Sequence, residues 1–331
     1  MSTPRVAVIF TGGTISMGYD PVAGGNVPSL DGAAIIERTP GLDRLAEVIP
    51  IDRGLTPASH FTFGDLLDIG GRIAARLEDP TVDGVVVVQG TDTIEETAFA
   101  WDLVLRSAKP VVVTGAMRAS HEEGYDGPAN LLGAVALAAS GDLVDTGVVV
   151  SLAGTVEAAD DVTKTHTSAF TTFRSPNGGT LGSVGADGAV RMGRTRGPRR
   201  SIRPAPPRGA RVELIQAGIE SDGTLLTAAV ETGAEGIVVA ATGAGNTSPS
   251  LLEAAERAMG RGIPVALASR CPAGPVSIAY AFPGGGATWV RAGAIRVGTL
   301  CAIKARVALA LGIGGGLGHD ALAELLADPL G

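Results

Sequence analysis

The chain has 331 residues, of which 45% are hydrophobic and 4% aromatic, with 48 glycines and a formal net charge of −8. That length accommodates two domains with separate cores, and the composition suits an α/β enzyme with an Ala, Val, Leu and Ile core rather than a fibrous or disordered chain. The acidic balance argues against nucleic-acid binding, which needs a basic face, and no apolar run is long enough to span a bilayer.

MSTPRVAVIF enters a strand without the charged region, apolar stretch and cleavage site of a leader, so a cytoplasmic location is expected. The first strand, RVAVIF (5–10), empties into Thr11-Gly12-Gly13-Thr14. This TGGT is neither a P-loop, which needs GxxxxGK[ST], nor a dinucleotide GxGxxG. A tight glycine turn and a mount for a reacting hydroxyl both remain open. GVVVVQ (84–89) leads to Gly90-Thr91-Asp92-Thr93, and Thr93 with Glu96 fits a capping box. The helix so opened carries Ile94, Ala98, Trp101 and Leu105 on one face. PVVVTG (110–115) runs into Ala116-Met117-Arg118, and DGPANLLGAVALAAS (126–140) reads as a helix with Pro128 in its first turn. GVVVSL (147–152) is followed by Asp161-Val162-Thr163-Lys164-Thr165. These four strands are apolar on both faces, as buried parallel strands are.

GRTRGPRRSIRPAPPR (193–208) reads as punctuation between two ordered regions rather than as a basic patch. The pattern then restarts with strands at RVELIQ (211–216), GIVVAA (236–241) and IPVALAS (263–269), and helices over 248–262, 303–312 and 319–327. Two α/β domains are predicted: a larger N-terminal one (1–194), a mostly parallel sheet flanked by helices, and a smaller C-terminal parallel-sheet one (212–331). A linker over 195–211 joins them.

In open α/β sheets ligands bind beyond the carboxyl ends of the strands. Three hydroxyls, a carboxylate and an ammonium are therefore expected along one edge, and the reading rests on Thr14, Thr91, Asp92 and Lys164. Lys164 is one of only three lysines, with Lys109 and Lys304, among 26 basic residues. Arginine keeps its proton, whereas a buried lysine can lose it and serve as a base that activates a hydroxyl. Burial favours the neutral amine and a neighbouring Asp92 the ammonium; sequence leaves the balance open. The four histidines (60, 121, 166 and 319) lack metal-ligand spacing, no GxSxG elbow is present, and His166 reads as a supporting or surface residue. Cys271 and Cys301 form no CxxC and read as buried small hydrophobes. Neither metal nor organic cofactor is expected.

TGGTI (11–15), QGTDTIEETA (89–98), TGAMR (114–118), DGPANL (126–131) and DVTKT (161–165) together resemble the bacterial-type L-asparaginases. GAGN (243–246) and KARVAL (304–309) extend the resemblance, so that it covers nearly the whole chain in the family's order. It implies an amidohydrolase that converts L-asparagine to L-aspartate and ammonia. It also implies a homo-oligomer, a dimer or a tetramer of intimate dimers, in which a neighbour's C-terminal domain completes each site. By motif position Thr14 is the implied nucleophile and Thr91 the second catalytic threonine. Lys164 would draw the proton of Thr91, and Asp92 would grip the substrate's α-amino group. The reaction runs either through an acyl-enzyme on Thr14 or by direct attack of water. Backbone at Gly90, Thr91 and Ala116 is expected to face the reacting amide. Two departures stand out: position 89 is Gln where the family commonly has His, and the tyrosine the family usually places about a dozen residues past the nucleophile is missing. Tyr19, five residues on, is the candidate replacement. Ser59, with His60 beside it, is the candidate for the substrate carboxylate, and Asn246 for the neighbour's contribution. The alternatives are a glutaminase or other small-amide hydrolase of the same fold, or a non-catalytic protein that binds aspartate or asparagine.

Overall fold

In the computed structural model, which describes residues 3–329, the Val-rich runs of the N-terminal half lie side by side. β1 (Arg5–Phe10) pairs in parallel with β4 (Glu47–Asp52) on one side and with β5 (Gly84–Val88) on the other. β6 (Val111–Thr114) and β7 (Val148–Leu152) continue the parallel ladder. Three short strands, β8 (Thr155–Ala158), β11 (Gly182–Val184) and β12 (Val190–Met192), extend it antiparallel, giving the order β12-β11-β8-β7-β6-β5-β1-β4. A hairpin of β2 (Met17–Asp20) and β3 (Gly25–Pro28) and a short pair, β9 (Thr163–Lys164) with β10 (Phe173–Arg174), stand outside this sheet.

Alternate strand residues point to opposite faces, so continuous apolar runs make two cores. Val6, Val8, Phe10, Val86 and Val88 pack on one face with Leu131 and Val135 of α4 (Gly127–Ala139). Ala7, Ile9, Val85 and Val87 pack on the other with Ile69 and Ile73 of α2 (Phe63–Glu78) and Trp101 of α3 (Ile94–Val104). Burying such a side chain stabilises by roughly 1.5–3 kcal/mol. A short α1 (Gly32–Glu37) precedes β4, and Trp101 Nε1 donates to the Leu66 carbonyl at 2.9 Å, pinning α3 to α2.

The capping box expected at Thr93 and Glu96 is absent there. Thr93 makes no side-chain cap; its hydroxyl instead donates to the Ala58 carbonyl at 3.2 Å. A capping box forms at Thr62 and Asp65, at the start of α2. The Thr62 hydroxyl and backbone N–H, with Arg53 behind them, hold the Asp65 carboxyl down at about 2.

The chain divides into two compact units, Met1–Gly197 and Pro198–Gly331. In the second, β13 (Val212–Gln216), β14 (Gly236–Ala241), β15 (Val265–Ser269) and β16 (Ile295–Arg296) form a parallel sheet in that order. α5 (Thr224–Glu231), α6 (Pro249–Gly260), α7 (Gly286–Arg291), α8 (Ala302–Gly314) and α9 (His319–Leu326) complete the unit. The boundary between the units falls inside the expected linker, and the stretch beyond it is packed: Ile202 is buried, and Arg200 donates to the carbonyls of Leu325 and Ala327 at 3.1 and 2.7 Å. Cys271 is exposed and Cys301 half-exposed, so neither is the buried hydrophobe expected. Among the described residues no helix is long and apolar enough to cross a membrane.

Candidate active site

The parallel strands of the first unit all end at one edge, and the loops that leave them there press together. At Gly13 φ is +95°, and a Cβ there would lie 2.2 Å from the amide nitrogen of Gly90. Only glycine permits that approach. The residue following each of these abutting glycines is a threonine, Thr14 in one loop and Thr91 in the other. Each opens a one-turn 3-10 helix, Thr14–Ser16 and Thr91–Thr93. Thr91 is buried and Thr14 half-buried, and no described residue hydrogen-bonds the Thr14 hydroxyl.

Lys164 arrives from β9, where Phe173 opposite is buried and fixes the strand pair. Its ammonium donates to Thr91 Oγ1 at 2.9 Å and to Asp92 Oδ1 at 2.8 Å. The lysine side chain is 15% exposed and that of Asp92 69%, so the pair spans from protein interior to open solvent. The arrangement links a hydroxyl, an amine and a carboxylate in one chain of hydrogen bonds, as proton transfer to or from a hydroxyl requires.

The remaining residues arrange themselves around this centre. Gly115, at the end of β6, approaches so closely that a Cβ would stand 2.4 Å from the Gln89 carbonyl and 3.3 Å from Thr91 Cγ2. Buried Ala116 follows it directly. Ser59 and His60 are exposed on the 3-10 turn Ala58–His60, which the Thr93 hydroxyl ties to the Thr91 turn. Gln89 is buried, accepting from the Thr97 hydroxyl at 3.0 Å and donating to the Gly90 carbonyl at 3.3 Å, so its amide braces the loop from below. Tyr19 is 56% exposed on β2, opposite Asn26 of β3, with its ring 5.8 Å from that of His121. The hairpin thus carries its tyrosine directly across from the position twelve residues beyond Thr14.

His166 is exposed, and its Nδ1 accepts from the amides of Ser168 and Ala169, which makes it a loop staple. Asn246 belongs to the second unit, in a tight turn after β14 where its backbone pairs with Thr242. Its Oδ1 is buried without a hydrogen-bond partner. Among the described residues no group of three or more His, Cys, Asp or Glu side chains is placed to hold a metal ion. Tyr125 was not singled out by sequence, yet its hydroxyl donates at 2.8 Å to the carbonyl of Ile15, next to Thr14.

Residues 5–196 match the family described as "Asparaginase, N-terminal", and residues 211–326 the "Glutaminase/Asparaginase C-terminal domain". A probable L-asparaginase of Deinococcus radiodurans is 37% identical over 319 residues, covering 93% of this chain and 92% of its own. L-asparaginase 2 of Escherichia coli is 32% identical over 321 residues, covering 95% and 90%. The crystal structure of a probable cytoplasmic L-asparaginase from Campylobacter jejuni, 30% identical, superposes with a TM-score of 0.84 over 98% of this chain and 99% of that one.

Proposed function

This chain belongs to the bacterial-type L-asparaginase family, and we propose that Thr14 is the nucleophile with which it hydrolyses the side-chain amide of L-asparagine to L-aspartate and ammonia. The observation that carries this reading is the pairing of Lys164 with Thr91 and Asp92, at 2.9 and 2.8 Å, beside the abutting glycines that mount Thr14. Thr14 Oγ1 adds to the amide carbon while its proton passes to the amide nitrogen. The tetrahedral oxyanion collapses as ammonia leaves with a proton. Water then adds to the resulting ester, and Thr14 regains its hydrogen as aspartate departs. Lys164 draws the proton of Thr91, which lets Thr91 take one from the water that attacks the ester, while backbone N–H groups near Thr91 and Ala116 meet the developing oxyanion. Asp92, the exposed end of the network, holds the substrate's α-ammonium, and the turn bearing Ser59 and His60 takes its α-carboxylate. Tyr19, on the β2–β3 hairpin that follows Thr14, supplies the phenol in place of the tyrosine the family usually carries. Direct attack by water, positioned by the same groups, is the competing path, and trapping an ester on Thr14 decides between the two.

A cytoplasmic homo-oligomer, in which Asn246 of a neighbouring copy reaches the site, fits the same reading. The word cytoplasmic in the description of the Campylobacter relative supports the location, and the family resemblance supports the contribution of Asn246. The direct test is ammonia release by the purified protein from L-asparagine and L-glutamine at equal concentration. Faster release from asparagine is expected, and a reversed ratio makes the protein a glutaminase. Thr14→Ala is expected to abolish turnover and Lys164→Met to remove at least about 10²-fold of kcat, both with the fold intact by circular dichroism. Undiminished turnover in Thr14→Ala sinks the nucleophile assignment.

A further inference from the structure

The segment that follows Thr14 hangs from three successive carbonyls. Tyr125 Oη donates to that of Ile15 at 2.8 Å. The amides of Ser29 and Leu30 donate to that of Ser16 at 2.8 and 3.0 Å. Ser120 donates to that of Met17 twice, from its amide at 3.0 Å and its hydroxyl at 2.8 Å. Two of the three anchors therefore come from one loop, residues 115–126, which runs from β6 to the start of α4.

That loop is fastened at its other end with equal care. The Asp126 carboxylate accepts from the amides of Met117 and Arg118, all at 3.0 Å. Asn130, one helical turn on, donates to Asp126 at 2.8 Å and to the Gly115 carbonyl at 2.9 Å, while its own carbonyl accepts from Ala153 N at 3.0 Å. Asn130 is buried, and Gly115 leads into Ala116 beside Thr91. One short stretch of chain thus grips the Thr14 turn with a phenol and the Thr91 side of the site with a carboxylate and an amide.

We propose that Tyr125, acting with Asp126 and Asn130, is a positioning residue that fixes the Thr14 hydroxyl relative to Thr91 and the Ala116 backbone. The inference rests on the reading of Thr14 as nucleophile. Tyr125 touches no reacting atom; it acts through the Ile15 carbonyl. Burial pushes its phenol up to about 12, so it stays a donor throughout the neutral range. An attacking oxygen misplaced by about 1 Å costs on the order of 10²-fold in rate, which is the scale on which such a bracket matters.

The test is Tyr125→Phe, which removes one hydroxyl and leaves the ring. Its kcat for L-asparagine is expected to fall about tenfold or more with KM held within about twofold, the pattern of an interaction felt in the transition state. The pH profile of kcat should keep its shape across the neutral range, because the phenol removed titrates far above it. Asn130→Ser frees the Gly115 carbonyl at the other end of the bracket. It is expected to move kcat in the same direction, and it stands as the test if the Tyr125 variant does not fold. Wild-type kcat in folded Tyr125→Phe and Asn130→Ser, with only the melting temperature lowered, overturns the bracket. Thr14→Ala assayed alongside separates the two ideas: turnover surviving there overturns the nucleophile reading instead.

Discussion

Gly13 shows how tightly single residues constrain this site. Its positive φ and its contact with Gly90 act together, since a methyl on Gly13 would run into the Gly90 backbone and drive the two loops apart. Gly13→Ala is expected to cost about 1–3 kcal/mol from backbone strain alone, and more from the clash. Urea unfolding should report that loss, and an ammonia assay should show turnover reduced far beyond the fraction unfolded. Wild-type turnover in a folded Gly13→Ala protein shows that the spacing between the loops is unimportant. Thr91 and Asp92 were legible in the sequence because they follow a strand end, where a parallel sheet gathers its loops, and Lys164, carried on β9, because lysine is rare in this chain. The role of Tyr125 was not, because its hydrogen bond closes over 110 residues and leaves no local pattern. Gln89 was noticed only as an unusual residue; its partner Thr97 lies eight positions away and faces it only once α3 has formed.

At the scale of elements, the legible ones were those buried on both faces. The runs that became β1, β5, β6, β7, β14 and β15 are rich in Val, Ile, Leu and Ala, and burial from both sides leaves few polar positions to blur them, whereas β13 (VELIQ) is only partly buried. The β2–β3 hairpin escaped notice because MGYD and GNVP are half-exposed and glycine-bearing, so their pairing, not their composition, makes them strands. The expected linker shows a different limit, since arginine in a proline-rich stretch reads as exposed until its partners are known. Arg196 is the clearest case. Only 5% exposed, it pairs with Asp102 of α3 at 2.7 Å and Asp160 at 2.8 Å and donates to the Thr146 carbonyl at 3.0 Å. Asp102 in turn accepts from Val148 N of β7 at 2.9 Å. This knot fastens the helix that begins at the Thr91 turn to the strand beside it. Arg196→Met leaves two carboxylates facing each other, and breaking such a buried pair costs about 3–5 kcal/mol. Denaturant unfolding is expected to show that loss with KM for asparagine unchanged at low temperature; a change below about 0.5 kcal/mol, the scale of a solvent-exposed pair, removes the knot from any account of stability.

For the whole molecule, the question is whether one chain makes one site. Thr14, Thr91, Asp92 and Lys164 all belong to the first unit, whereas Asn246 belongs to the second. If each site borrows Asn246 from a neighbour, two inactive variants should repair each other. Thr14→Ala and Asn246→Ala, each assayed alone, are expected to be inactive and strongly impaired respectively. Unfolded together and refolded as a mixture, random assembly of the two chains gives about a quarter of the sites a neighbour-supplied Asn246 facing an intact Thr14. Activity near a quarter of the wild-type value is therefore expected, appearing only after subunits have exchanged and falling on dilution below the concentration at which the oligomer holds. If instead each chain completes its own site, every chain in the mixture carries one defect within that site. The mixture then shows only the average of the two variants, however long it is left to assemble. The same measurement thus tests the oligomer and the role of Asn246 together, and the dilution series separates them, since a monomer that supplies its own asparagine keeps its specific activity at every concentration.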